Sequence, residues 1–242
     1  MAISFECPGL TVEANILGTL NLLESIRQSN LFDKVRFYQA STSEMFGKVQ
    51  EVPQTEKTPF YPRSPYGVSK VAAHWMVVNY RETYGLFACC GILFNHESPR
   101  RGANFVTQKI VKALSGQTPR LYIGNLDARR DWGHAKDYVK AMWLMLQQET
   151  PDDFVVSTGE QHSVREFIEK VCELRGINLK WLGTGLDEVG VDCDSGSTIV
   201  CVSEKFYRPC EVDTLLGDCA KIKSIGWKPE FNFEGLVKNM CE

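Results

Sequence analysis

Tyr66 and Lys70 stand four residues apart in Ser64-Pro65-Tyr66-Gly67-Val68-Ser69-Lys70. On a helix they share a face, so the Lys70 ammonium can lie beside the Tyr66 phenol and favour its ionised form. A phenol with an ordinary pKa of about 10 then becomes a usable base at neutral pH. Upstream, Ser41-Thr42-Ser43-Glu44 adds hydroxyls and a carboxylate at the end of the strand-like run Val35-Arg36-Phe37-Tyr38-Gln39-Ala40. Residues two apart on an extended segment point to one side, which predicts that Thr42 and Glu44 face the same pocket. Tyr-x-x-x-Lys alone occurs on many amphipathic helices, and Ser-Thr-Ser alone also reads as a polar strand-to-loop turn. Their order along the chain carries the argument: strand, hydroxyls and carboxylate, Pro-rich loop, helix. Strand ends of open α/β sheets are where ligands bind.

The elements that must position these groups alternate between helix and strand patterns. Apolar residues Ile16, Leu20, Leu23 and Ile26 predict a helix over residues 11–28. Pro65 suits a first helical turn and Gly85 a stop, so the helix carrying Tyr66 should run over 65–84. The run Phe87-Ala88-Cys89-Cys90-Gly91-Ile92-Leu93 reads as a strand covered on both faces. A helix over 104–115, a strand over 121–124 and a helix over 136–148 follow, the last with Val139, Met142, Trp143 and Leu146 as its expected core stripe. Further on, 154–157 reads as a strand, Ser163 and Glu166 as a capping box, and 183–197 as a Gly- and Asp-rich loop. A short strand over 198–202 and a final helix capped by Asn232 complete the pattern.

The composition sets bounds. With 242 residues, 43% of them hydrophobic, the chain can bury a sizeable core as one or two domains. A formal net charge of -3 offers no global attraction for nucleic acid or an anionic membrane. No stretch nears the roughly 18 apolar residues of a membrane span, and a cytoplasmic location is expected. The nine cysteines include the adjacent pair Cys89 and Cys90 in an apolar strand, and read as reduced, mostly buried thiols. Cys193, Cys201, Cys210 and Cys219 recur without any Cys-x-x-Cys pair, so no metal site is expected. Gly183-Thr184-Gly185 has neither the spacing nor the following helix pattern of a dinucleotide-binding turn.

Four segments carry a family resemblance: residues 37–44, 58–67, Phe94-Asn95-His96-Glu97-Ser98-Pro99-Arg100-Arg101-Gly102, and Gly124-Asn125-Leu126-Asp127-Ala128-Arg129-Arg130-Asp131-Trp132-Gly133-His134. Together they resemble the GDP-mannose 4,6-dehydratase family, within the extended short-chain dehydrogenase/reductase group of nucleotide-sugar enzymes. The resemblance implies NADP as cofactor and GDP-mannose as substrate, converted to GDP-4-keto-6-deoxymannose on the route to GDP-fucose and related deoxyhexoses. It implies a base at Tyr66 assisted by Lys70, a hydrogen bond from Thr42 to the C4 oxygen, and Glu44 as base at C5 and then acid at C6. Thr42 and Tyr66 stand 66 − 42 = 24 positions apart, as in the family's pattern. Tyr66, Lys70, His96 and Arg101 resemble cofactor contacts. Asn95, Lys109, Asn125, Arg130, Arg208 and Glu211 resemble contacts to the nucleotide sugar. A homo-oligomer, dimer or tetramer, is implied as well, with Arg100 and Arg101 near a subunit contact.

The implied fold is α/β: a Rossmann-type doubly wound parallel sheet with a smaller C-terminal substrate-binding α/β region. Residues 1–100 are expected to form the remaining part of the NADP-binding domain and 101–242 mainly the nucleotide-sugar region, some of whose segments return to the sheet. The sheet is expected to be incomplete, because the family opens with a Gly-rich βαβ unit and this chain starts at a point resembling the interior of that domain. Leu10 stands where the family usually has a cofactor-contacting Tyr. Two further readings belong to different classes: a truncated paralogue acting by association with full-length subunits, and another nucleotide-sugar enzyme such as an epimerase. Glu44 argues against the epimerase, which needs no acid/base to expel the C6 oxygen.

Overall fold

The structure, a computed structural model, describes residues 2–206, 212 and 214–242. Short helices α1 (Ala2–Glu6) and α2 (Pro8–Val12) lead through a π-helical turn at Glu13–Leu17 into α3 (Gly18–Gln28). The helical stretch thus begins earlier than the apolar periodicity predicts and is interrupted within it. Strand β1 (Arg36–Thr42) turns through a 3-10 helix at Ser43–Met45, and a loop leads to α4 (Pro65–Tyr84). Helix α4 has the expected bounds for the expected reasons. Ser64 Oγ accepts from Gly67 N at 3.0 Å, Pro65 takes the first turn, and Gly85 ends the helix at φ 67°, a conformation that favours glycine.

Next come β2 (Phe87–Leu93), β3 (Asn95–Glu97), α5 (Val106–Lys112), β4 (Leu121–Ile123), β5 (Arg129–Arg130), β6 (Trp132–His134), α6 (Ala135–Met145) and β7 (Asp153–Val156). Strands β1, β2 and β7 form one parallel sheet in that order, with Thr42 opposite Leu93 and Leu93 opposite Val156. This sheet is covered on both sides. Ala88 and Cys90 of β2 pack with Leu23 of α3 and Val77 of α4, while Cys89 and Leu93 pack with Tyr138, Ala141 and Met145 of α6. That two-sided burial is the physical cause of the unbroken apolar run in β2.

The chain ends with β8 (His162–Ser163), α7 (Val164–Arg175), β9 (Leu179–Leu182), β10 (Val189–Asp192), β11 (Thr198–Val202), β12 (Thr214–Leu215), α8 (Ala220–Ser224) and α9 (Phe233–Cys241). A second core gathers Ile110, Trp132, Phe167, Val200 and Leu236. Its helices start as expected: Ser163 and Glu166 form a reciprocal capping box, and Asn232 Oδ1 accepts from Gly235 N at 2.9 Å. Among the described residues, no helix is long and apolar enough to cross a membrane.

Two expectations are corrected. Helix α6 buries Tyr138, Ala141 and Met145 and leaves Val139 and Trp143 each 60% exposed. It carries two apolar stripes, and partners distant in sequence select one. Tyr138 stacks on His96 with ring centroids 4.9 Å apart, and Trp227 Nε1 donates to Asp137 O at 2.7 Å. The expected loop over 183–197 contains β10, paired antiparallel with β9 and β11. The segment as a whole is rich in Gly and Asp, and pairing on both sides picks out Val189-Gly190-Val191-Asp192 within it as a strand.

Candidate active site

The end of β1, the 3-10 turn after it and the first two turns of α4 bring four of the expected residues together. Thr42 is extended and caps the 3-10 turn, its hydroxyl accepting from Glu44 N at 3.3 Å and hydrogen-bonding the Tyr66 phenol. Lys70 Nζ donates to Ala40 O at 3.1 Å and lies 5.8 Å from the centre of the Tyr66 ring. Glu44 and Arg101 are both close enough for their charges to act on the phenol. Strand alternation, the expected reason for Thr42 and Glu44 sharing a pocket, is not the one at work, since Glu44 sits in the 3-10 turn. The turn itself folds Glu44 back toward Tyr66.

The electrostatics differ from the simple expectation. Burial raises the Tyr66 phenol above its usual range and Glu44 adds to the rise; the Thr42 hydrogen bond and the Arg101 charge only partly oppose it. Burial pulls Lys70 below the usual lysine range. The Lys70 ammonium, turned to the Ala40 carbonyl, therefore does not leave Tyr66 easier to ionise than free tyrosine. In this arrangement the phenol is a proton donor and hydrogen-bond partner until further positive charge is brought against it.

Asn95 and His96 lie on β3, which pairs in parallel with β6. His96 Nδ1 is 2.9 Å from Phe94 O, and a carbonyl can only accept, so Nδ1 carries the hydrogen and Nε2 is the acceptor. Burial holds His96 below the usual histidine range, which keeps it neutral. Arg101 Nε sits 3.0 Å from the Glu97 carboxylate and its guanidinium lies 3.6 Å from the centre of the Phe105 ring. Glu97 is itself buried and accepts from Thr107 Oγ1 at 2.6 Å.

The described residues nominated for the nucleotide each have local contacts. Lys109 lies over the Phe206 ring at 4.4 Å, Asn125 Oδ1 accepts from Asp127 N at 2.9 Å, and buried Arg130 donates to Arg129 O at 2.8 Å. Arg208 and Glu211 lie outside the described residues. A cavity of about 320 Å³ lined by Trp132, Glu160, His162 and Phe233 contains none of the candidate residues.

Sequence reasoning missed two supporting residues. Asn15, within the π-helical turn, donates to Ser69 Oγ at 3.1 Å, and Ser69 donates to Tyr66 O at 2.8 Å, so the turn braces the helix that carries Tyr66. Nothing in the sequence distinguishes Asn15 from the other polar residues of this amphipathic segment, such as Glu13 and Asn21. Gly67 is the second, because a Cβ there would come within 2.8 Å of Glu44 O, and only glycine lets the 3-10 turn pack against α4.

These features define the class: an α/β protein of Rossmann type with a short-chain dehydrogenase/reductase fold. Solved structures agree. DesIV, a dTDP-glucose 4,6-dehydratase from Streptomyces venezuelae with NAD and TYD bound, superposes with a TM-score of 0.82 at 22% identity, covering 99% of this chain and 68% of that one. A Thermus thermophilus UDP-glucose 4-epimerase in complex with NAD gives 0.79 at 27% identity, covering 99% and 72%. RMD from Pseudomonas aeruginosa complexed with NADPH gives 0.78 at 23% identity, covering 99% and 76%.

The family model for GDP-mannose 4,6 dehydratase matches residues 1–240, and the chain belongs to that family. It is 56% identical to the human GDP-mannose 4,6 dehydratase over 98% of this chain and 65% of that protein. It is 57% identical to GDP-mannose 4,6 dehydratase 2 of Caenorhabditis elegans over 98% and 63%. The chain thus spans a little under two thirds of the length of these relatives.

Proposed function

We propose that this chain carries the chemical centre of an NADP-dependent GDP-mannose 4,6-dehydratase, forming GDP-4-keto-6-deoxymannose by net loss of water. The observation that carries the proposal is the convergence of Thr42, Glu44, Tyr66 and Lys70 at one strand end, in a chain of this family. The chemistry that NADP would supply when bound is reversible hydride exchange, between C4 and then C6 of the sugar. Tyr66 takes the proton of the C4 hydroxyl, and Thr42 hydrogen-bonds the same oxygen as its charge changes. Glu44 removes the C5 proton and then protonates the departing C6 oxygen, and the proton held by Tyr66 passes to C5 as C6 regains hydride, which returns both side chains to their starting states. The residues fit a nicotinamide dinucleotide: Tyr66 and Lys70 share the strand end with the Arg101 cation, and among the described residues Lys70 donates only to Ala40 O. Such a cofactor, carrying positive charge on its oxidised ring, would supply what lowers the Tyr66 phenol. Neutral His96 and Arg101 would add contacts to it, and Asn95, Lys109, Asn125, Arg130, Arg208 and Glu211 would meet the GDP-sugar.

A homo-oligomer in the cytoplasm is part of the same proposal. Leu22 of α3 and Val68 and Trp75 of α4 are 59%, 52% and 56% exposed, a face that a second copy could cover. The test is incubation of the chain with GDP-mannose and NADP, with mass spectrometry of the sugar nucleotide. A product lighter by one water is expected, and Glu44→Gln should accumulate the 4-keto sugar without losing water. Undiminished dehydration by Glu44→Gln refutes its role. Inversion at C4 with no loss of water would favour the epimerase reading, and turnover with NAD but not NADP would overturn the choice of cofactor.

A further inference from the structure

Helix α4 repeats the four-residue step once more beyond Tyr66 and Lys70, and the next position is His74, only 3% exposed. His74 Nδ1 lies 3.0 Å from Oγ of Ser41, the residue immediately before Thr42 in β1. On the other side of the ring, Nε2 is 3.8 Å from Asp153 Oδ2 at the start of β7. Asp153 is gripped through both oxygens by Arg81, at 2.9 and 3.0 Å, and Arg81 also donates to Ala88 O of β2 at 3.0 Å. Phe60 and Trp75 meet the imidazole edge-on, with centroids 5.3 and 5.5 Å away. The ring is thus fixed against all three strands of the parallel sheet.

The protonation state follows from the neighbours. Burial lowers the His74 pKa and Arg81 pushes the same way, outweighing the opposing pull of Asp153, so the ring is neutral. The carboxylate facing Nε2 selects the Nε2–H tautomer, which makes Nδ1 the acceptor and Ser41 Oγ the donor. Ligand-type atoms of His74, Cys90 and Asp153 also lie within 4.8 Å of one another, but the Arg81 cation already occupies both Asp153 oxygens and opposes a metal ion there.

We propose that His74 is a positioning residue, whose bond to Ser41 sets the spacing at which α4 presents Tyr66 to Thr42. Ser41 neighbours both Ala40, whose carbonyl receives Lys70, and Thr42, which bonds Tyr66. Without the Ser41 bond, the helix loses its side-chain tie to β1 at that point and the Thr42–Tyr66 contact lengthens. The importance of this spacing for catalysis rests on the role proposed for Tyr66, but the spacing itself can be measured without substrate.

In the full 242-residue chain, a fluorinated tyrosine at position 66, whose phenol ionises nearer neutrality, would be titrated by fluorine NMR in several backgrounds. Ser41→Ala and His74→Gln should each raise its midpoint by about one pH unit, the tenfold change in ionisation expected when a hydrogen bond to the phenolate is lost. His74→Asn, whose amide oxygen overlays Nδ1 and can still accept from Ser41, should leave the midpoint near that of the parent. The double variant Ser41→Ala/His74→Gln should shift no further than either single one. Thr42, Glu44, Lys70 and Arg101, the groups that face Tyr66, are unchanged throughout. Unshifted midpoints in folded Ser41→Ala protein, or additive shifts in the double variant, overturn the proposal. Ser41→Ala removes a single oxygen, which keeps the test decisive if His74→Gln fails to fold. A shifted midpoint without GDP-mannose turnover would sink the dehydratase reading and spare His74; turnover with an unshifted midpoint would do the reverse.

Discussion

Asp131, between β5 and β6, should make the stability of this protein fall as pH rises from 4 to 7. Its carboxylate is fully buried, and it ties distant segments together. Oδ1 accepts from Thr158 N and Oγ1 at 2.8 and 2.7 Å, Oδ2 from Gly159 N at 3.0 Å, and Gly217 N adds a further bond. Burial pushes its pKa from 3.8 up to about 6 even though these donors pull it down. The folded state therefore holds the Asp131 proton more tightly than the unfolded chain. The resulting contribution is fully present below pH 3.8, is lost as pH rises through about 6, and at ~1.4 kcal/mol per pH unit amounts to about 3 kcal/mol. Asp131→Asn cannot ionise, and its amide hydrogens confront donors, so it should carry a constant penalty. Urea unfolding of the parent and the variant, followed by far-UV circular dichroism from pH 4 to 7.5, isolates this residue because the other carboxylates cancel in the difference. The stability gap should narrow with rising pH by up to about 3 kcal/mol. A gap that widens with pH would mean that the donors outweigh burial, and the reasoning would be refuted.

Three other outcomes are expected. Gly133→Ala should destabilise the fold by about 1–3 kcal/mol in urea unfolding, because a methyl there would overlap Cε2 of Tyr138, a fully buried ring with no room to retreat. Ser163→Ala removes the acceptor of Glu166 N, 3.0 Å away, and should cost about 1 kcal/mol by the same measurement. Trp143→Gln, on the exposed side of α6, should change stability by less than ~0.5 kcal/mol; a loss near that of a core residue would restore Trp143 to the interior.

Local rules carried far along this chain. Ser64, Pro65 and Gly85 set the bounds of α4 because caps and φ preferences are properties of a few adjacent residues. The same holds for the capping box at Ser163 and Glu166 and for Asn232. The apolar run of β2 announced its two-sided burial, and the four-residue step from Tyr66 to Lys70 put both side chains on one helix face. Helix α6 shows the limit, since its periodicity offered two apolar stripes and only Trp227 and His96, each more than thirty residues away, selected the one carrying Tyr138. Strand β10 shows another, because hydrogen bonds to neighbours on both sides held residues that composition assigned to a loop.

The residue types and spacing of Thr42, Glu44, Tyr66 and Lys70 were thus determined by the sequence alone. Their chemistry was decided by the tertiary structure: the 3-10 turn that returns Glu44 to Tyr66, the Ala40 carbonyl that draws Lys70 aside, and the burial that raises the phenol. A pKa depends on solvent exclusion and on charges brought close by folding, and neither is encoded in the distance between residues along the chain.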